Sequence, residues 1–597
     1  MSTEAPALAA RERRFVAPTA LRALVRRSEL WLAVLGCVSG CLAALFVYAM
    51  SETAQLLHEV LFGIQSGDRL SAVYRIPERW SILAPAAGGF LLVVVTWLYR
   101  RYRTNTPVDP IEANALHGGR MSFLDSLCIA VQTTISNGFG ASVGLEAGYA
   151  QIGSGTASWI GDFFRLRRND VRIMVAAGAA GAIGAAFNAP LAGAFYAFEL
   201  ILGTYTLTAF PPVALASIAG VLTMGFMTDP AHEITVFSSF DPDPASLVAV
   251  ALLALVSSGL GILIMRGVTT VEELFRLSRV PVWARPILGG VIVGLMALIT
   301  PRILSSGHGA IILVLDTSLP ELRAILFLLV FKALASAISL GSGFRGGLFF
   351  ASLFLGALLG KAYAATLNLI DPAVALDAQI AAVVGMTGLA VAIVGGPLTM
   401  TFLTLEMTAN LPLTLVVLVT SVISSITVRR LFGYSFTTWR FHLRGEAIRS
   451  AHDVGWIFDL TVRRLMRPDV RTVRDDMTIE QFRREFPLGA TQRVVVVDEE
   501  DQYRGIVMVA EAHNVSESEE TRAETIASLL RNQNAVLLPW MNIKEAAQRF
   551  DETESEALAV IDGMATKKVV GLLTEAHTLR RYTEELEKAR RNLAGDI

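Results

Sequence analysis

Two stretches of this chain carry the same uncommon pattern, and their agreement limits the folds open to it more than any other feature. Gly144-Leu-Glu-Ala-Gly148 and Gly343-Phe-Arg-Gly-Gly347 are Gly-rich segments, each followed by an apolar helix pattern in which Pro-Leu precedes a Glu nine residues after the Pro. The pairs are Pro190-Leu191 with Glu199 and Pro397-Leu398 with Glu406. Laid over one another without gaps, AAGAAGAIGAAFNAPLAGAFYAFEL and VVGMTGLAVAIVGGPLTMTFLTLEM keep their proline and glutamate in step. Internal duplication, with apolar helices interrupted by Gly and Pro at matching places, points to a transport site near the bilayer midplane.

Hydropathy agrees. The mean is +0.51, and Leu30–Met50, Trp80–Tyr99, Pro211–Met227, Ala245–Met265 and Leu322–Leu340 are charge-poor runs near the ~20 residues that a spanning helix needs. A polytopic membrane protein in a lipid bilayer follows. The net charge of −2 lacks the basic excess of a phosphate-binding surface, so nucleic acid is not an expected partner. Cys37, Cys41 and Cys128 lie in apolar surroundings and read as packing residues, neither a disulfide framework nor a metal cluster. Arg11, Arg13, Arg14, Arg22, Arg26 and Arg27 precede the first apolar run, which is too long for a signal-peptide core. The positive-inside bias puts that end in the cytoplasm.

Hydropathy collapses after about Arg440, and the tail is itself repeated. Val473, Met477, Ile479 and Phe486 precede Leu537, Met541, Ile543 and Phe550 by 64 positions, and Asp498 keeps that offset to Asp562. Each copy reads strand, helix, strand, strand, helix, with Arg493–Val497 and Gly505–Val507 as strands in the first, and Ala557–Ile561 and Val569–Leu573 in the second. This resembles a pair of CBS modules. The charged stretch Thr578–Leu593 reads as an exposed terminal helix.

A carboxylate at a membrane helix centre costs ~2.5–3.5 kcal/mol on insertion scales, so Glu146 is a functional candidate by default. The flanking glycines let the backbone turn sharply and approach a small ion. A helix starting there aims free N–H groups and its positive dipole end at that ion. Such a site holds an anion without a buried cation to trap it, as conduction requires. The plainer reading of Gly144, Gly148, Gly153 and Gly155 is close helix packing.

On these residues the chain resembles the CLC family of chloride channels and proton/chloride antiporters over roughly Glu29 to Phe441. GLEAGYAQIGSG, GAAFNAPLAGAFYAFE and SGFRGGLFFASLFLG carry the resemblance, with FNAPLAG and LEMT its most specific parts. It implies an all-α polytopic membrane domain, an inverted repeat of broken, tilted helices with about nine per half, followed by an α/β soluble CBS pair. It implies a homodimer with one pore per subunit and a small inorganic anion, chloride first, as substrate. Glu146 then takes the gating position, with Gly144, Leu145, Ala147, Gly148, Leu348 and Phe349 around the anion.

Departures from the family bear on mechanism. Thr104–Pro110 stands where the family has Gly-Ser-Gly-Ile-Pro, leaving Asn105 and Thr106 in place of the anion-binding serine. Thr437 stands in place of the anion-binding tyrosine, with Tyr434 nearby. Leu200 replaces the proton-relaying glutamate and cannot carry a proton. A passive channel is therefore expected, the alternative being a proton-coupled antiporter or a variant selective for fluoride, nitrate or bicarbonate.

The expected domains are a cytoplasmic segment 1–28, a transport domain 29–445, a linker 446–461, a CBS pair 462–585 with modules 462–515 and 526–581, and a tail 586–597, with both termini on the cytoplasmic side of an inner membrane. The CBS pair reads mainly as a folding and dimerisation module. Weak adenosine-nucleotide binding through Glu511, Thr574 and His577 is the alternative, and no other cofactor is expected. Lys332 reads either as snorkelling to an interface, as raising the potential of the anion path, or as partnered on a neighbouring helix. Asp109 and Glu112 read as a loop pair at the membrane edge. Ser154 as a hydrolase nucleophile would need a histidine from His58, His117, His232 or His308, all read as loop or helix-end residues, so no enzyme and no catalytic set is expected.

Overall fold

The computed structural model describes residues 17–25, 28–73, 76, 82–103, 107–228, 244–316, 321–372, 376–443, 460–515, 524–581 and 584. The chain divides into two compact units, Met1–Asp453 and Val454–Ile597. Asn105, Thr106, His232, the expected linker as far as 459 and most of the charged terminal stretch lie outside the described residues.

The first unit is helical. Its first half runs through α1 (Thr19–Val25), α2 (Glu29–Phe62), α3 (Ala84–Tyr102), α4 (Pro110–Leu116), α5 (Phe123–Gly138), α6 (Glu146–Phe163), α7 (Arg168–Phe187), α8 (Pro190–Tyr196) and α9 (Phe210–Gly225). The second runs through α10 (Pro244–Leu277), α11 (Arg285–Ala297), α12 (His308–Asp316), α13 (Leu322–Ser342), α14 (Phe349–Ile370), α15 (Ala378–Val394), α16 (Pro397–Thr408), α17 (Leu411–Leu431) and α18 (Phe436–Leu443). From α2 to α9 each helix has a counterpart eight places later. Among the described residues six helices are long and apolar enough to cross a membrane. The short members α8 and α16 both start at the duplicated proline, whose fixed φ suits a first helical turn.

Close packing repeats in both halves. A methyl group added at Gly153 on α6 would collide with the carbonyl of Gly178 on α7, and one at Gly356 on α14 with that of Gly385 on α15. Without side chains at these crossings the backbones touch, which supplies dispersion contact where lipid offers no hydrophobic drive between helices. The packing reading of Gly153 therefore holds.

Glu199 and Glu406 explain the constant Pro-to-Glu spacing. The Glu199 carboxylate accepts from the backbone N–H groups of Leu398 (2.9 Å) and Thr399 (2.8 Å) and from the Thr399 hydroxyl (2.6 Å), at the start of α16. Glu406 in turn accepts from the N–H groups of Leu191 (2.7 Å) and Ala192 (2.9 Å), at the start of α8. Each repeat caps the other's broken helix. In hydrocarbon those N–H groups have no water to meet them, and a carboxylate at the positive end of a helix meets both needs.

The second unit holds two three-stranded sheets. In the first, β1 (Thr472–Arg474) runs parallel to β2 (Arg493–Val497), which pairs antiparallel with β3 (Tyr503–Met508). In the second, β4 (Val536–Leu537), β5 (Ala557–Ile561) and β6 (Val569–Thr574) repeat that order. Helices Ile479–Glu485 and Ile543–Thr553 follow the first strand of each copy, as the repeat predicts. Apolar contacts cross between the two expected modules. Leu460, Val462 and Leu465 pack with Leu537, Phe550 and Leu558 of the second copy, and Ile526 packs with Phe482 and Val507 of the first. Each module borrows its last apolar contacts from the segment preceding the other, which strand periodicity does not reveal.

Candidate anion site

The two Gly-rich breaks meet. Gly144 and Gly347 form an antiparallel bridge through Gly144 N–H to Gly347 O (2.9 Å) and Gly347 N–H to Gly144 O (3.1 Å). The approach is tied down by buried polar side chains: Asn137 Nδ2 donates to Val143 O at 2.7 Å, Ser142 N–H to Ser339 Oγ at 3.0 Å, and Arg345 N–H to Ser136 Oγ at 3.0 Å. Immediately after the bridge, α6 begins at Glu146 and α14 at Phe349, so two helix N-termini converge from opposite halves of the unit. Four orphan N–H groups and a positive dipole end belong to each.

Glu146 sits in that convergence, 3% exposed. Its Oε1 accepts from the Phe350 N–H at 2.9 Å, while its Oε2 is buried with no hydrogen-bond partner. A Cβ at Gly144 would occupy the space of this carboxylate, and one at Gly347 would come within 3.1 Å of Oε2. Those two glycines make room for the glutamate. Gly148 instead faces Met50 and Thr133 and serves packing between α6, α2 and α5. Leu145 and Leu348 are the residues before each helix, and Phe349 is buried at the first position of α14.

A cavity of about 880 Å³ reaches this region, with Asp109, Ala147, Arg345, Gly346 and Thr437 in its wall. Arg100, Arg285 and Arg440 also line it against a second acid, Glu272, so the wall carries more positive than negative charge. That balance raises the local concentration of anions. Thr437 lines this cavity. Arg345 was not singled out from sequence, although an arginine inside a Gly-rich break is a visible signal.

Several expectations need correction or sharpening. Lys332 does not snorkel: it is fully buried on α13, and its Nζ donates to the carbonyls of Ile303 (2.9 Å) and Ser305 (2.6 Å). Its charge is nonetheless within electrostatic reach of Glu146. His58 lies near the C-terminal end of α2, buried and paired with Asn137 O at 3.0 Å. Ser154 donates to Val175 O at 3.0 Å and is committed to the α6–α7 contact. Asp109 caps α4 by accepting from Ile111 N–H at 2.9 Å, and Glu112 faces His117 at 3.6 Å. Leu200 falls in a π-helical turn, Ala197–Leu202, that continues α8.

In the second unit, Glu511 is ion-paired with Arg531. Thr574 ends β6, and its carbonyl accepts from the Thr578 hydroxyl at 2.9 Å. His577 titrates below its ordinary range because of partial burial first and then the neighbouring Arg580, Arg467 and Arg581. The carboxylate offered for ribose is therefore already engaged.

Two facing helix N-termini around a buried carboxylate, within a duplicated membrane domain of broken helices, are the features of a membrane transport protein for small anions. The voltage gated chloride channel family model matches residues 88–429, and the chain belongs to that family. A CBS domain model matches residues 462–512. The chain is 31% identical over 392 residues to a putative chloride channel protein ClcB-like of Ralstonia nicotianae, covering 64% of this chain and 89% of that relative. It is 28% identical over 402 residues to the voltage-gated ClC-type chloride channel ClcB of Citrobacter koseri, covering 66% of this chain and 95% of the relative. The crystal structure of a slow cyanobacterial Cl⁻/H⁺ antiporter shares the fold, with a TM-score of 0.59 at 24% identity over 72% of this chain and 98% of that one.

Proposed function

We propose that the protein is a passive anion channel, with chloride as its principal substrate and Glu146 as the gate of each pore. The observation that carries this reading is the Glu146 carboxylate on the Phe350 N–H, at a helix N-terminus where an anion would need the same donor. Glu146 competes with the anion while charged and yields when protonated. Gly144, Leu145, Ala147, Leu348 and Phe349 surround the anion, and Thr437 serves it from the cavity.

Passive flow follows from Leu200, which has no proton to give, and from Glu199, whose carboxylate is engaged by α16 through two N–H groups and a hydroxyl. Both named relatives are described as chloride channels. We read the working form as a homodimer in an inner membrane with both termini cytoplasmic, and the CBS pair as an assembly module without a required nucleotide. The test is anion efflux from liposomes holding the purified protein, run for chloride, fluoride, nitrate and bicarbonate. Chloride efflux well above empty liposomes supports the reading. No efflux of chloride, or preference for another anion, contradicts it.

A further inference from the structure

The two largest cores of the membrane unit meet along a seam, and Phe187 and Tyr196 are partly buried side chains packed against both. Phe187 contacts Phe349 (ring centroids 4.7 Å apart) and stacks on Phe350 at 4.4 Å, while the Tyr196 ring lies 6.3 Å from Phe349. These are the first two residues of α14, and the second supplies the N–H held by Glu146. Tyr196 is also within electrostatic reach of Glu146 and of Asp109, which lines the cavity with Ala147. Its ring therefore packs at the start of α14, whose second residue supplies the N–H held by the gate.

A tyrosine hydroxyl within a packed unit usually finds a hydrogen-bond partner. Tyr363 in this unit shows it, donating to Ala249 O at 2.9 Å. Tyr196 has only ring and apolar contacts among the described residues. Glu146 Oε2, within electrostatic reach of this tyrosine, is unpartnered too. Two unpartnered polar groups within electrostatic reach of one another, one a donor and one an acceptor, leave room for a transient occupant. An anion stripped of water needs donors from more than one side, and the amides of α14 supply only one.

Resting on the anion-channel reading above, we propose that the Tyr196 hydroxyl donates a hydrogen bond to the transported anion beside Glu146, the part that the family gives to a tyrosine at the place of Thr437. Tyr196 is then a specificity-determining residue: a hydroxyl favours a small, strongly hydrated anion over a large, diffuse one. When the anion leaves, the same hydroxyl is available to the Glu146 carboxylate.

The experiment uses the full-length protein with Tyr196→Phe, which keeps the ring against Phe349 and removes one oxygen. Chloride binding is titrated calorimetrically in detergent, on the wild type and on a Glu146→Gln background where the gate does not compete. The expected result is roughly tenfold weaker chloride binding in both, from loss of one hydrogen bond to a charged partner, with a reduced preference for chloride over nitrate in efflux. Tyr196→His, which returns a ring donor, should recover part of the affinity and covers the case of a phenylalanine protein that fails to fold. Unchanged affinity and selectivity in a folded Tyr196→Phe protein whose parent conducts chloride overturns the assignment while leaving the channel reading intact. A wild-type protein that neither binds nor passes chloride overturns both.

Discussion

At the scale of single residues, the account turns on Glu146 and its shared donor. Loss of its charge frees the Phe350 N–H, so Glu146→Gln should raise chloride efflux several-fold and remove its pH dependence. In the wild type the sign is fixed by the same step: acid protonates the carboxylate, so efflux rises as pH falls. Efflux from liposomes at a series of pH values checks both, and an unchanged rate and profile in the variant would remove Glu146 from the gate. The glutamate, its glycines and the two helix starts were legible in the sequence because burying a carboxylate among glycines has few explanations. The anchoring of Lys332 on two carbonyls was not, since those carbonyls come from a connection whose path sequence spacing does not define. Tyr196 was missed because an aromatic residue in an apolar helix looks like packing until its hydroxyl is traced.

At the scale of elements, the reciprocal caps are the feature most specific to this chain's duplication. Glu199→Ala leaves two backbone N–H groups and a hydroxyl of α16 unmet away from water, at a cost of about 2–4 kcal/mol for the set. Glu199→Gln, which keeps an acceptor, should lose less. Thermal unfolding in detergent orders wild type above Glu199→Gln above Glu199→Ala, and equal melting of all three would show the caps to be idle. The periodic Pro and Glu announced a repeat, but that each Glu serves the opposite copy appears only once α8 and α16 lie side by side. In the CBS pair, folding favours neutral His577, because its pKa lies below the unfolded value. Stability from this site is thus present above the ordinary histidine pKa of about 6.5 and is lost as pH falls through the folded value. Protection against hydrogen exchange at 569–581, taken relative to the intrinsic exchange rate at each pH, should fall on acidification, and His577→Gln should flatten that response.

At the scale of the whole molecule, every residue assigned to the anion precedes the division at Asp453/Val454. A protein ending at Asp453 should keep anion selectivity and the response to Glu146→Gln, even where assembly is impaired. A well-folded truncated protein without flux, beside an active full chain, would place part of the pore chemistry in the tail. The most direct measurement of the central claim concerns protons. Proteoliposomes are given a chloride gradient with no net driving force on protons, and external pH is recorded while chloride moves. Because Leu200 carries no proton and Glu199 is committed to α16, chloride should run down its gradient with no sustained pH change. Sustained proton pumping that Glu146→Gln abolishes would contradict the account and make the protein an exchanger.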